Sequence, residues 1–140
     1  MWADQIRSGD VVRWPFGAAG RALIDERDIA SVAVRALTKD GHAGARYALS
    51  GPEVLTQAEQ LAAIGEAIGR DLTWEELPKQ AAVEALAAAW GDRGFAETAA
   101  TAWEWFVDPP ETAMSTVSDI TGAPAHRFAD WAAANAAVFI

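Results

Sequence analysis

ERDIASVAVRALTKDGHAGARYALSGPEVLTQAEQLAAIGEAIGR, residues 26–70, decides the fold. Its punctuation predicts a helix, a strand and a second helix in that order. Ile29, Val32, Ala33, Ala36 and Leu37 recur at helical spacing, with Asp28 placed to cap that helix. Lys39 falls in its last turn and Gly41 just beyond, as a helix stop requires. Residues 46–50 set Tyr47 and Leu49 on one face and run into Gly51-Pro52, so they read as a short strand. Thr56 and Glu59 make the T-x-x-E pattern of a capping box. Leu61, Ile64, Gly65 and Ile68 then form one apolar stripe, closed by Gly69.

Upstream, residues 2–8 read as a short helix ended by Gly9, and residues 11–16 as an extended run whose end Pro15 fixes. Residues 17–20 make a turn, and residues 22–25 return as a short strand. Downstream, residues 72–77 alternate into a strand that Pro78 ends. Residues 79–90 place Val83, Leu86, Ala87 and Trp90 on one helical face. Residues 95–107 do the same with Phe95, Ala99, Ala102, Trp103 and Phe106, leaving Trp105 off the stripe. Asp108-Pro109-Pro110 stops that helix. A short helix over 112–120 and an amphipathic one with Phe128, Trp131, Ala132, Asn135 and Phe139 complete the chain. The expected fold is α+β, a small sheet of short strands with five or six helices. It forms one domain, 1–140. Residues 1–25 are the opening strand and turn, 26–78 the helix–strand–helix–strand core, and 79–140 a helical cap.

With 140 residues, 51% of them hydrophobic, the chain can bury a core without staples. A net charge of -9 and no basic cluster argue against phosphate-backbone binding, so no nucleic acid partner is expected. No apolar run approaches ~20 residues and no signal-peptide pattern follows Met1, so no membrane association is expected. The chain has no cysteine, which removes disulfides and thiol chemistry and fits a cytoplasmic setting. Seven tryptophans are many, and Trp concentrates in cores, pockets and interfaces.

His42 and His126 are the only histidines, and neither has metal-ligand spacing. No serine lies in a G-x-S-x-G elbow. Asp25, Glu26 and Asp28 cluster at a helix start, where acids also complement the helix dipole. Arg27 runs against that dipole and calls for a carboxylate partner such as Asp25. Arg13, Trp14 and Phe16 put a cation and two aromatics on one short segment, with both rings on the same face if it is extended. The catalytic candidates are Asp25, Arg13 and His42. The ligand-pocket candidates are Arg13, Trp14, Phe16, Trp74 and Trp105.

The ordered series ERDIA, then G-H-x-G-x-x-Y-x-L-S-G-P-E, then L-T-x-x-E-Q with an A-I-G-R end, resembles the C-terminal half of NmrA-like proteins. These are atypical short-chain dehydrogenases/reductases with an NAD(P)-binding Rossmann domain. Residues 4–12 and 121–131 share the likeness. The resemblance implies that the strands near residues 11–14 and 72–76 pair beside a substrate pocket. It also implies that Trp90, Trp103, Trp105 and Phe106 lie in the helices covering that pocket.

The family's glycine-rich strand–turn–helix is not found here: Gly17-Ala18-Ala19-Gly20 lacks a βαβ context. Its Tyr-x-x-x-Lys pair is also missing, since Tyr47 is the only tyrosine and position 51 is Gly51. The resulting expectation is a non-catalytic module that binds a small apolar ligand or a partner protein. It would carry no cofactor and bind no dinucleotide of its own. Two alternatives stand beside it: a cofactor-independent cyclase, isomerase or lyase with a Trp-lined pocket, or one half of a split NAD(P)-dependent reductase. The expected partner is a second copy in a homodimer or a separate Rossmann-type chain. In the family, the strand at 46–50 and the helix at 28–38 meet the Rossmann layer, so Tyr47, Leu49, Val32 and Leu37 would be uncovered here.

Overall fold

The capping box forms as its sequence requires. In the computed structural model, which describes residues 2–140, the Thr56 hydroxyl oxygen accepts the Glu59 N–H at 3.2 Å. The Glu59 carboxylate accepts the Thr56 N–H at 2.8 Å in return. This starts helix α3 (Gln57–Ile68), which Gly69 ends in the left-handed conformation at φ 69°. Leu61 and Ile64 face the core. Gly65 permits a close pass of the chain, because a Cβ there would lie 2.6 Å from the Arg70 carbonyl oxygen.

Around α3 run α1 (Ala3–Ser8), β1 (Val11–Trp14), β2 (Gly20–Arg21), α2 (Glu26–Thr38) and β3 (Leu55–Thr56). After it come β4 (Thr73–Glu76), α4 (Lys79–Trp90), α5 (Arg93–Glu104), α6 (Thr116–Thr121) and α7 (Phe128–Ala134), then a 3₁₀ turn, Ala136–Val138. The fold is α+β as expected, with short strands and with the helices in the expected places. β1 and β4 are parallel, Val12 opposite Trp74, as the resemblance implied. A parallel pair needs a crossover, and the chain through α2 and α3 supplies it. β2 and β3 are antiparallel, Gly20 opposite Thr56, and form a separate pair.

Arg70 locks the end of α3 to the start of β1. Its guanidinium donates to the carbonyl oxygens of Ile6 at 2.9 Å and Gly9 at 2.8 Å, and to the Asp10 carboxylate at 2.9 Å. The core gathers Ile6, Val12, Leu61, Ile64, Val83, Leu86 and Phe139. Trp14 packs into it against Trp103, ring centres 5.3 Å apart. α4 packs on α5, α7 on α3, and α2 on α6.

Five local expectations change. Residues 46–50 form no strand: among the described residues no neighbouring strand offers a ladder, and their backbone groups pair with none of the chain's own. Residues 22–25 are not a strand either; they lead into α2, whose N-cap is Asp25. Its carboxylate accepts the Arg27 N–H at 2.8 Å. Asp28, expected at the cap, sits one turn inside and is only 3% exposed. Of the expected apolar stripe on α2, Val32 is buried, not uncovered, while Leu37 is 86% exposed. Phe16 takes φ 60°, so it does not continue β1 as an extended residue, and its ring is not aligned with Trp14 by strand alternation.

Among the described residues, no helix is long and apolar enough to cross a membrane.

The Asp25 cap carries a pH signature. The Arg27 side chain hydrogen-bonded to it holds its carboxyl at about 2, below the ordinary 3.8, against the opposing effect of burial. A carboxyl depressed by folding stabilises fully above its unfolded value. That contribution is lost as pH falls through its folded value. Asp25→Asn keeps a capping oxygen but loses the charged bond to Arg27, and should cost about 1–2 kcal/mol at neutral pH. It should also flatten the acid loss of stability between about 3.8 and about 2. Urea midpoints followed by circular dichroism across that range check it, and an unchanged acid slope would contradict the assignment.

Candidate functional site

A cavity of about 240 Å³ opens between the start of α2 and the start of α7. Leu23, Ile24, Asp25, His126, Arg127, Phe128 and Trp131 line it. Phe128 and Trp131 lie three residues apart on α7, so their rings stack, at 5.4 Å and 29°. His126 is fixed from the α2 side. Asp28 accepts the His126 backbone N–H at 2.8 Å through Oδ2 and faces the ring Nδ1 at 2.7 Å through Oδ1. An ionised carboxylate only accepts, so Nδ1 carries the shared proton.

The charges around this cavity are paired. Arg27 grips Asp25 through two hydrogen bonds, at 2.9 and 2.6 Å. Asp25 itself is 4% exposed, and its depressed carboxyl follows first from that Arg27 side chain, then from the Arg27 N–H and from the charges of Arg27 and His126. Arg127 reaches Glu53 at 2.7 Å.

A second cluster sits at the end of β1. The Glu76 carboxylate accepts the N–H groups of Phe16 and Gly17, the latter at 2.9 Å, and the Trp74 indole N–H at 2.8 Å. Trp74 meets Trp2 edge to face at 5.5 Å. Phe16 and Trp74 are thus brought together. Trp14 is 8% exposed and belongs to the core. Arg13 points away from it, pairs with Glu75 at 2.9 Å, and lines a separate hollow with Asp4 and Asp10. His42 Nδ1 lies 2.7 Å from the Tyr47 hydroxyl. Trp105 is 70% exposed at the end of α5.

Arg13, Asp25 and His42 do not converge. Asp25 is joined instead by Asp28 and His126, a pair that sequence reading passed over. No local spacing could have signalled it, since 98 positions separate its members.

Among the described residues no cluster could hold a metal ion. A dinucleotide pyrophosphate also finds no cradle. A Cβ at Gly17 would fall 2.5 Å from the Trp74 indole nitrogen, and one at Gly20 would fall 2.8 Å from Pro110. Both glycines are therefore filled against side chains. The adjacent N–H groups of Phe16 and Gly17 already hold the Glu76 carboxylate. These residues do not fit the phosphates of NAD(P).

No protein-family model matches the chain. It is 42% identical over 138 residues to a (4-alkanoyl-5-oxo-2,5-dihydrofuran-3-yl)methyl phosphate reductase of Streptomyces griseus. That match takes in 99% of this chain and 49% of the relative. It is 37% identical over 144 residues to an NAD(P)H azoreductase of Xenophilus azovorans, again 99% of this chain and 49% of that one. The chain spans about half the length of the curated relatives it matches. In structure it resembles an NADPH-dependent quinone oxidoreductase of Escherichia coli, with a TM-score of 0.78 and 22% identity over 95% of this chain and 49% of that one.

These findings overturn the expectation of a non-catalytic module and of a chain with no enzyme role. Both curated relatives are reductases, and the likeness runs through nearly the whole chain. Of the readings the sequence left open, the reductase half is the one they favour. In sequence and in fold, the chain is the counterpart of the C-terminal half of NmrA-like, NAD(P)-binding atypical short-chain dehydrogenases/reductases.

Proposed function

We propose that this chain is the substrate-side half of an NAD(P)-dependent reductase, and that its partner is a nucleotide-binding half seated on α2. One observation carries the reading: α2 is clad on one side only. Val32 and Asp28 turn inward, while Ile29, Val34 and Leu37 are 47%, 60% and 86% exposed on the other side. Ala30 and Ala33 lie exposed among them, which makes a continuous apolar stripe along the helix. The unpaired backbone of residues 46–50 and the exposed Tyr47 add polar groups that seek a partner.

The dinucleotide belongs to that partner half, because the phosphate cradle is not built from these residues. The substrate is a small conjugated molecule with an electron-poor double bond. That is the chemistry shared by the oxodihydrofuran and azo compounds in the relatives' names. A cytoplasmic setting goes with this reading.

Three outcomes are expected. Calorimetry of this chain alone with NADP or NAD gives no saturable heat at sub-millimolar concentration; micromolar binding would place a dinucleotide site here after all. Light scattering at micromolar concentration gives a mass above 14.9 kDa, because the bare stripe covers itself with a second copy when the partner half is absent. Changing both Val34→Glu and Leu37→Glu returns the chain to a monomer with unchanged helix content. A wild-type monomer would mean that the stripe tolerates water.

The decisive test joins the nucleotide-binding half of the Streptomyces griseus relative ahead of this chain. The chimera should oxidise NADPH when given an azo dye or an unsaturated lactone. Neither half alone should do so. A folded, NADPH-binding chimera that turns over neither compound would contradict the assignment.

A further inference from the structure

The cavity between α2 and α7 has a property that the reductase reading does not use. Its walls are apolar and aromatic: Leu23, Ile24, Phe128 and Trp131. Its ion pairs are closed within the chain, Arg27 on Asp25 and Arg127 on Glu53, and the Asp28 carboxylate accepts N–H groups of His126. An ionic ligand would have to break one of these pairs. A neutral ligand would not.

One ring nitrogen of a lining residue, His126 Nε2, has no hydrogen-bond partner among the described residues. His126 lines the hollow, and Asp28 engages both its backbone N–H and its ring Nδ1. When the ring is neutral and its proton lies on Nδ1, the lone pair is on Nε2. That nitrogen accepts a hydrogen bond. The two bonds from Asp28 also fix the ring before any ligand arrives, which lowers the ordering cost of binding. A space of about 240 Å³ is smaller than a drug-sized pocket and suits a single or fused ring.

We propose that this cavity is a binding subsite for a small neutral aromatic alcohol. Its ring lies against Phe128 and Trp131, and its hydroxyl donates to His126 Nε2. The site is made wholly of this chain's residues. It needs no dinucleotide and no partner half, so it stands or falls apart from the reductase reading.

The probes are phenol and anisole, which differ by a methyl group on the oxygen and hence by the donated hydrogen. Each is titrated into the purified chain and followed in its NMR spectrum. Phenol should bind about fivefold or more tightly than anisole, the yield of one net hydrogen bond. It should move the Trp131 indole N–H and the His126 ring signals. His126→Phe keeps an aromatic wall and removes the acceptor, so phenol should fall to the level of anisole. Leu23→Trp fills the cavity and leaves the Asp28–His126 pair in place. It should abolish binding of both probes while the spectrum stays dispersed, and it decides the matter if His126→Phe fails to fold. The proposal is overturned by equal binding of the two probes or by no binding of phenol. It is also overturned by shifts that map elsewhere, by a phenol preference that survives His126→Phe, or by binding that survives Leu23→Trp.

Discussion

A buried carboxylate has to be met by donors, and Asp28 is met by a residue near the other end of the chain. It is 3% exposed, and both its oxygens face His126. Removing the His126 ring takes one of its donors from this buried carboxylate, which typically costs about 1–3 kcal/mol. The pair therefore pins the segment before α7 onto α2. It also fixes how α2 is rotated. With Asp28 and Val32 turned inward one turn apart, the 3.6-residue period places Ile29, Ala33, Val34 and Leu37 on the outer side. The cavity wall and the bare apolar stripe are thus two faces of the same helical setting.

Local signals in the sequence were legible, and contacts between distant segments were not. The Thr56–Glu59 box, the left-handed Gly69 and α4 over Lys79–Trp90 all depend on residues a few positions apart, and all form as the sequence predicts. The β1–β4 pairing came through the resemblance, since nothing local says which strands will meet. Residues 46–50 have strand composition but form none, because a strand is completed only by the neighbour it bonds to. At the start of α2, three acids within four positions can each serve as a cap. Where the chain enters helical geometry decides among them, and that point is Asp25 rather than Asp28. The Asp28–His126 contact had no sequence signature at all.

The functional expectation failed for a different reason. A missing Tyr-x-x-x-Lys pair and a missing glycine-rich turn do not amount to missing activity. Both are properties of particular residues, whereas the likeness to the two reductases extends over 99% of the chain. A region without those residues can still shape one wall of a reductase site. Sequence reading of the aromatic residues separated core from surface only in part. Trp14 packs inside and Trp105 lies outside, but Phe95 stays 59% exposed against Trp90 at the tip of α4 and α5. Helical periodicity shows that Trp90 and Phe95 sit on apolar stripes; it does not show that anything covers the end of the stripe.

The acidic charge acquires a structural meaning that composition alone does not carry. Glu76 holds the N–H groups of Phe16 and Gly17, and Glu111 holds the Ala22 N–H at 3.0 Å together with the Arg21 guanidinium. Glu53 takes the Phe128 N–H at 3.3 Å together with Arg127. In each case a carboxylate from a distant segment satisfies loop or helix-start donors that would otherwise need water. Donors of this kind are the ones that phosphate-binding folds turn toward an anion. Here they are turned toward the chain's own side chains. That internal use of acids takes up the N–H groups of Phe16, Gly17, Ala22 and Phe128, so none of these four is left open to an anion.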